Sequence, residues 1–370
     1  MTSSIPHTMR SLVATKFCKP DEYEILELPV PEIQKPDEVL LKVHVTAFQT
    51  GDAMTAKGST NFLSTPPLPV KLGIQGAGVV LAVGSAVKDL RPGDEVYGMH
   101  VAHPILPWSL VGYISEYVVT KESLLLRKPA HLSFEEVVAL LASTVTAYQG
   151  IKLGMSLLPG TGSDKLEGKT VFVPAALGST GFVALQMLKN IYGAGKVIST
   201  VSTAKVPLVE KFMPGIVDQL IDYQAQDVVK EVGRGKVDFI YNTMWQMNSL
   251  YPLLNQKTGV VIAIAGVIPR SSTIKSVFGE TMPFWMGWAS DLAQVYYKWK
   301  LWGTGIKQEA ISGNPGVRED FEAAGEIIAT GKLKAVMTVV DFNDLEAVKR
   351  ECWKIEQMKG AVGKLIIKIA

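Results

Sequence analysis

Cysteine and clustered positive charge are both scarce in this sequence. Only Cys18 and Cys352 occur among the 370 residues, too few for a disulfide framework or a multi-cysteine metal site, so we expect a reducing, cytoplasmic compartment. The 37 basic residues nearly cancel the 35 acidic ones, and no window collects the Lys and Arg residues that a nucleic-acid footprint needs. We therefore expect no nucleic-acid partner.

Uncharged runs long enough to cross a membrane are missing as well. The aromatic segment from Phe284 to Trp302 holds four of the seven tryptophans, but Asp291, Lys298 and Lys300 interrupt it. A spanning helix needs about 20 nearly uncharged residues, so no transmembrane segment is expected. Two interpretations of the aromatic segment stay open: the wall of a large apolar substrate pocket, or a packed hairpin or helix at the surface of a cofactor domain.

The composition of the chain is typical of an ordered globular protein. Hydrophobic residues make up 47% and charged residues 19% of the chain, and the length favours two domains. Short alternating runs separated by Pro, Gly and Asp extend from Arg10 to about Val119 and indicate a mostly β domain. The preceding residues, Met1 to Thr8, are expected to form a short, flexible terminus. Ser133, with Glu136 three residues later, predicts the start of a helix by a capping box.

Strands and helices then alternate for about 140 residues, which favours a parallel sheet covered by helices on both faces. The predicted strands are Thr170–Val173, Lys196–Thr200, Gln219–Asp222, Val237–Tyr241 and Gly259–Ala265. The predicted helices between them include Gly181–Ile191 and Val206–Phe212. After Arg318 we expect a helix, the strand Ala335–Val340, a second helix and the strand Lys364–Ile369.

A glycine-bearing turn, Ala176-Leu177-Gly178-Ser179-Thr180-Gly181, lies between the first of these strands and its helix. Backbone N–H groups at a helix N-terminus, together with the helix dipole, can bind a pyrophosphate. The G-x-G-x-x-G fingerprint is incomplete, because Ala176 stands at the first glycine position. By itself the turn is equally consistent with an ordinary connection that binds nothing.

The end of the second predicted strand, Ser199 to Lys205, carries hydroxyl groups and a lysine. NAD-binding folds place an acidic residue here to bind the ribose 2′-OH. A carboxylate would repel a 2′-phosphate, whereas Ser202 and Lys205 can bind one through hydrogen bonds and charge. NADPH is therefore favoured over NADH as the hydride donor. The alternative is that Lys205 is merely a solvated residue at the start of the next helix.

These patterns occur together with further segments, in an order that covers nearly the whole chain. The segments are Gly73–Gly84, Arg91–Val96, Leu132–Glu136, Thr144–Tyr148, Ala175–Gln186, Ile221–Tyr223, Val237–Phe239 and Gly363–Ile366. In this combination the sequence resembles the zinc-independent branch of the medium-chain dehydrogenase/reductase superfamily, which includes quinone oxidoreductases and fungal trans-acting enoyl reductases. The resemblance implies an α/β fold in which a Rossmann doubly wound parallel sheet, residues 139–315, is inserted in a GroES-like β-rich catalytic domain, residues 1–138 plus 316–370.

The resemblance also implies roles for individual residues. Gly178, Ser179 and Thr180, with Gly181 closing the turn, would face the pyrophosphate of NADPH, while Ser202 and Lys205 would face its 2′-phosphate and Tyr223 its adenine. Ala265 and Gly266 would approach the nicotinamide, and Lys364 would lie close to the cofactor. Substrate and nicotinamide would meet in an interdomain cleft.

Two segments depart from the zinc-binding members of the superfamily, which use a Cys and a Gly-His-Glu. Gln49-Thr50-Gly51-Asp52 and Gly73-Ile74-Gln75 stand at these places, so we expect no metal. Without a Lewis acid, hydride transfer to an activated C=C, as in an enone or enoyl thioester, or to a quinone is favoured over alcohol dehydrogenation. The expected substrate is bulky and apolar, free or bound to a carrier protein, with a place in secondary metabolism.

The sequence identifies no proton donor, because Met54 occupies the position that supplies one in some enoyl reductases. The candidate pocket residues are Gln49, Asp52, Thr144, Tyr148 and Asn242, although a Thr or Tyr at a helix start is more often structural. Asp238, within a buried strand pattern, is interpreted as a supporting residue. The missing donor motivates an alternative function, a non-catalytic NADPH-binding or trafficking protein of the same superfamily.

The oligomeric state is left open between a monomer and a homodimer. The strand from Val260 to Ala265, followed by Val267-Ile268-Pro269, is the candidate to pair across a dimer axis. Pro269 is the residue that would blunt such an edge.

Overall fold

The computed structural model describes residues 5–59, 61, 65–100, 111–160, 165–278 and 283–370. The strands are β1 Thr8–Ala14, β2 Glu24–Pro29, β3 Glu38–Phe48, β4 Val70–Lys71, β5 Gln75–Val83, β6 Glu95–Met99, β7 Tyr117–Lys121, β8 Leu125–Arg127, β9 Thr170–Val173, β10 Lys196–Val201, β11 Gln219–Asp222, β12 Phe239–Asn242, β13 Val260–Ala263, β14 Lys307–Ala310, β15 Met337–Asp341 and β16 Lys364–Lys368. The helices are α1 Thr50–Ala56, α2 Phe134–Leu157, α3 Gly181–Gln186, α4 Val206–Phe212, α5 Val228–Val232, α6 Ser271–Phe278, α7 Phe284–Lys300, α8 Arg318–Ala329 and α9 Leu345–Glu356.

The chain forms two compact units. The first contains Met1–Ala142, Pro315–Ala329 and Met337–Ala370, and the second contains Ser143–Asn314 and Thr330–Val336. The segment 330–336 therefore belongs with the second unit, whereas the predicted limits assign it to the first. One reason lies in Gln186, whose Nε2 donates to Lys334 O at 2.9 Å while its Oε1 accepts from Lys334 N at 2.7 Å.

The first unit is rich in β-structure, as predicted. A three-stranded sheet has the order β2-β1-β4, and a seven-stranded sheet has the order β15-β16-β3-β5-β6-β8 with β7 paired to β3. The last strand of the chain, β16, pairs antiparallel with β3, with Leu365 opposite Phe48. Cys18 and Cys352 are separate buried thiols in the apolar core of this unit.

The second unit contains a six-stranded sheet in which every neighbouring pair is parallel, with the order β11-β10-β9-β12-β13-β14. This is the doubly wound Rossmann order, which confirms the predicted fold class. In such sheets, ligands bind beyond the carboxyl ends of the strands where the order reverses, here at β9 and β12. The core positions of β12 and β13 are buried and apolar, as a sheet covered on both faces requires.

The edge of this sheet differs from the prediction. β14, Lys307–Ala310, was not among the predicted strands, and it pairs in parallel with β13. β13 therefore lies between β12 and β14, so the expectation that Val260–Ala265 is an edge available to a second copy is wrong. The sequence of β14 is Lys-Gln-Glu-Ala. It was not predicted as a strand because it lacks the apolar and β-branched residues that are typical of β-strands.

Helix α2 begins at the predicted capping box. Glu136 N donates to Ser133 Oγ at 3.2 Å, and Ser133 N donates to Glu136 Oε2 at 2.9 Å. The helix continues to Leu157. By length and composition α2 resembles a membrane span, but 72% of its most apolar window is buried, as in a core helix.

Candidate cofactor site and a buried polar cluster

The glycine-bearing turn connects β9 to α3. Ala175 has a left-handed backbone with φ of 60°, and Gly178 N donates to Ala175 O at 2.8 Å. The predicted helix Gly181–Ile191 is α-helical only to Gln186 and continues as a π-helical turn. The turn therefore reverses the chain tightly and directs the start of α3 back over the end of β9.

Neighbouring segments of the second unit hold this turn in place. Ala175 N donates to Thr200 Oγ1 at 3.2 Å, and Ala176 N donates to Thr200 O at 2.9 Å. From α2, Ser143 Oγ donates to Ser179 O at 2.8 Å. The second strand of the sheet and α2 thus fix opposite ends of the turn.

The turn has the free donors that an anionic group needs. A Cβ at Gly181 would lie 2.3 Å from Ala175 O, so only glycine allows this close approach. At Gly178 the corresponding distance is 3.1 Å, which is tight but not prohibitive. Among the described residues no acceptor is bonded to the amides of Ser179, Thr180 and Gly181. Three successive N–H groups at a helix start therefore fit a pyrophosphate.

The predicted 2′-phosphate residues lie at the carboxyl end of β10. Ser202 is half-buried and precedes a single 3₁₀ turn, Thr203–Lys205, after which α4 begins. Tyr223, at the end of the adjacent strand β11, is 53% exposed, and its N donates to Val201 O at 3.1 Å. The fold therefore brings Ser202, Lys205 and Tyr223 to one end of two neighbouring strands.

A carboxylate that was not among the predicted site residues also lies at this end of β10 and β11. Asp222 is opposite Val201 in the register of β10 and β11. A hydrogen bond from Thr203 lowers the pKa of Asp222, and Gln224 N also donates to its Oδ1 at 3.0 Å. Because these partners occupy the carboxylate, Asp222 ties the two strand ends together.

Asn242 ends β12 and its side chain is buried and fully bonded. Nδ2 donates to Met244 O at 2.7 Å and to Ala265 O at 3.0 Å, while Oδ1 accepts from Met244 N at 3.0 Å. The amide therefore joins the end of β12 to the segment that follows β13. Gly266, with φ of 77°, lies so close to Trp245 O that a Cβ would be 2.6 Å away. Asn242 positions Ala265 and Gly266, the predicted nicotinamide residues.

In the first unit, three candidate residues form a buried polar cluster. Lys364 begins β16 and its Nζ donates to Gln49 Oε1 at 2.8 Å. Gln49 N donates to Asp52 Oδ2 at 2.9 Å, and Gly73 N donates to Asp52 Oδ1 at 2.8 Å. The sequence predicted each of the three separately, and the pairing of β16 with β3 brings them together.

Burial shifts the pKa of both charged groups in this cluster. Removal from water raises the pKa of Asp52 to about 6 and lowers the pKa of Lys364 to about 8. The charge of each opposes the shift of the other, since Lys364 stabilises the carboxylate and Asp52 stabilises the ammonium.

The orientation of the Gln49 amide follows from this cluster. An ammonium has no acceptor, so the Gln49 atom facing Lys364 is the oxygen. The other atom, Nε2, is buried and has no hydrogen-bond partner within the described residues.

Gln75, one of the residues in place of zinc ligands, has a role that the sequence did not reveal. Its buried side chain donates from Nε2 to Val138 O and accepts from Ala142 N, both at 3.2 Å. Val138 and Ala142 are an i, i+4 pair of α2, so the Gln75 amide contacts two neighbouring backbone groups on one side of the helix. This contact fastens β5 to α2.

The remaining candidate residues have fewer contacts that link them to either site. Thr144 is buried within α2, and Tyr148 is half-buried with Lys152 Nζ 5.4 Å from the centre of its ring. Met54, on α1, is 41% exposed. Asp238 Oδ2 accepts from Thr170 N at 2.8 Å and so supports the start of β9. In the described parts of the chain, no three His, Cys, Asp or Glu side chains are grouped as metal ligands.

Comparison with known proteins gives consistent matches. Residues 35–130 match the alcohol dehydrogenase GroES-like domain family. The chain is 32% identical over 268 residues to a 2-methylene-furan-3-one reductase of Solanum lycopersicum and 31% identical over 267 residues to a chloroplastic NADPH-dependent alkenal/one oxidoreductase of Arabidopsis thaliana. Each match covers 72% of this chain but 65% of the relative, just under two thirds of its length. The quinone oxidoreductase structure from Coxiella burnetii superposes with a TM-score of 0.74 at 21% identity, covering 98% of this chain and 100% of that one.

Proposed function

Because residues 35–130 match the alcohol dehydrogenase GroES-like domain family and two relatives are named as reductases of alkenals or enones, we propose that this chain is a member of the medium-chain dehydrogenase/reductase superfamily and an NADPH-dependent, metal-independent reductase of activated C=C bonds or quinones. The observation that carries the proposal is the turn at Gly178 to Gly181. Its free amides, its obligatory glycine and its position at the sheet end where the strand order reverses all suit a dinucleotide.

NADPH, rather than NADH, is proposed from the side chains at the ends of β10 and β11. Lys205 supplies a positive charge and Ser202 a hydroxyl for a 2′-phosphate, while the nearby carboxylate of Asp222 is engaged by Thr203 and Gln224. The proposed contacts of Tyr223, Ala265, Gly266 and Lys364 with the cofactor rest on the superfamily resemblance.

Bound NADPH would supply the hydride, and the chain must supply a donor for the oxygen of the reduced group. We propose Gln49 Nε2 as this donor, since it is buried and unbonded within the described residues while Lys364 holds the other side of the amide. The names of two relatives indicate substrates with a C=C next to a carbonyl, a methylene-furanone and an alkenal or alkenone. We propose the same class here, with a bulky apolar body that is free or attached to a carrier protein.

A screen of NADPH oxidation tests the proposal. The purified chain is mixed with NADPH and an enone, a quinone or an enoyl thioester, and absorbance at the nicotinamide band is followed. Consumption with at least one class, and much slower consumption of NADH, is expected. Tight binding of NADPH without turnover in all three classes would favour the non-catalytic alternative.

A further inference from the structure

In helix α7 the usual distribution of a surface helix is reversed, since its large apolar residues are exposed. Its inward side is made of small and polar residues, with Gly287 and Ser290 buried. Its large apolar residues face solvent, and we call them the outer face: Phe284, Trp285, Trp288, Leu292, Val295, Tyr296 and Trp299. Phe284 is 80%, Trp288 79%, Leu292 71% and Trp299 71% exposed, and Trp302 just beyond the helix is 84% exposed. Spacing of three and four residues places them along one side of the helix.

Specific hydrogen bonds fix this orientation. Gln294 Nε2 donates to Ile268 O at 2.9 Å, and Ile268 N donates to the Tyr297 hydroxyl at 3.0 Å. Asp291 accepts from the Ser271 amide and hydroxyl at 3.2 and 2.9 Å. Rotating α7 to bury its aromatic rings would break all of these bonds. The outer face is therefore a stable feature of the second unit.

The chemistry of the outer face fits the water–lipid boundary. A helical seam between two copies favours Leu, Ile and Val, which interlock as knobs in holes. Tryptophan and tyrosine combine a large apolar ring with a polar N–H or O–H and are typical of the water–lipid boundary. At about 1.5 Å per residue, the 17-residue helix presents a face about 25 Å long.

Charges border this face as an anionic surface would require. Lys298 precedes Trp299 in the sequence and is exposed beside it. On the other side of Trp299, the Lys300 ammonium donates to Asn248 Oδ1 and lies over the rings of Tyr251 and Tyr296. Asp291, the only acidic residue of the helix, already has partners in Ser271. Because the chain has no polybasic run, insertion of the aromatic rings must supply most of the affinity, with Lys298 adding attraction to anionic headgroups.

We propose that the outer face of α7 docks the protein peripherally on an anionic lipid bilayer, with the helix lying in the plane of the headgroups. The test is co-sedimentation of the full chain with phosphatidylcholine vesicles that contain phosphatidylserine, compared with phosphatidylcholine alone. Binding is expected mainly to the anionic vesicles, with a blue shift of tryptophan fluorescence. The double substitution Trp288→Ser and Trp299→Ser should weaken partitioning on the order of tenfold or more.

Matched controls keep the result interpretable. Met358→Gln changes an apolar residue that is 60% exposed and lies outside α7, and it should leave binding unchanged. Circular dichroism and NADPH binding check that each variant is folded. Absence of binding to anionic vesicles would overturn the proposal. So would a dimer, seen by sedimentation velocity, that the double substitution dissociates, because a second copy would then occupy the face.

Discussion

Lys364 Nζ donates to Gln49 Oε1 at 2.8 Å across 315 residues of sequence. This bond determines which end of the Gln49 amide remains free. It also places a buried ammonium beside a buried carboxyl, Asp52, both with shifted pKa values. A proposed substrate donor and a pH-dependent contribution to stability thus share one cluster.

Replacing Gln49 separates these two roles. Gln49→Glu keeps an oxygen facing Lys364 but removes the free N–H donor, so kcat/KM with the best acceptor should fall about tenfold or more. The Kd for NADPH should stay within about twofold, as measured by fluorescence titration. Gln34→Glu, in a loop of the same unit, is the control for the added charge. Full activity of Gln49→Glu would show that its Nε2 does not serve the substrate.

The lowered pKa of Lys364 predicts that the free energy of unfolding increases in alkaline solution. Its pKa is about 8 in the folded protein against 10.5 for an unperturbed lysine. Between these values the unfolded chain binds more protons, so the free energy of unfolding increases with pH, on the order of 2 kcal/mol by pH 10.

Urea denaturation at several pH values measures this effect. Lys364→Met should remove the increase, whereas Lys368→Met, on the same strand but half-exposed and paired with Glu135, should keep it. An equal pH dependence in the wild type and Lys364→Met would contradict the assignment.

The two glycines of the turn should respond differently to alanine. A Cβ at Gly181 meets Ala175 O at 2.3 Å, so Gly181→Ala should cost about 1–3 kcal/mol of stability and also weaken NADPH binding. At Gly178 the contact is 3.1 Å, so Gly178→Ala should leave stability nearly unchanged while its methyl group obstructs the approach of the phosphates. Thermal denaturation and NADPH titration of both variants measure the split. Unimpaired NADPH binding by both would remove the turn from the cofactor site.

Lys205 should discriminate between the two nicotinamide cofactors. Lys205→Ala removes the charge proposed to bind the 2′-phosphate, so the Kd for NADPH should rise about tenfold or more while that for NADH changes little. Lys211→Ala, in the last turn of α4, is the matched control. A parallel loss of affinity for both cofactors would assign Lys205 a structural role.

Replacing the side-chain amide of Asn242 with a carboxylate should destabilise the protein. In Asn242→Asp the donor to Met244 O and Ala265 O becomes another acceptor, which should destabilise the protein by about 2 kcal/mol or more. Asn255→Asp keeps the Oδ1 that accepts from Lys257 N and Thr258 N, so it should be tolerated. Urea denaturation of the two variants gives the comparison, and equal stability would refute the role assigned to Asn242.

Local sequence pattern was sufficient to predict much of the secondary structure of the second unit. The strand Gln219–Asp222 and the helix Val206–Phe212 occur with the predicted bounds, and the capping box at Ser133 forms as expected. These features depend on neighbouring residues, namely apolar periodicity, caps and glycine at a turn, so the sequence states them directly. The polar strand β14 escaped prediction because its neighbour in the sheet, and not its own side chains, makes it a strand.

The sequence by itself determined the fold class, the GroES-like and Rossmann organisation and the turn proposed to bind NADPH. Only the tertiary structure decided which distant groups meet. The register of β16 on β3 brings Lys364 to Gln49, and the packing of β5 on α2 brings the Gln75 amide to Val138 O and Ala142 N. Periodicity likewise places the aromatic residues of α7 on one side, but hydrogen bonds to Ile268 and Ser271 turn that side outward. Strand register and helix rotation depend on partners far away in sequence, and no local pattern encodes them.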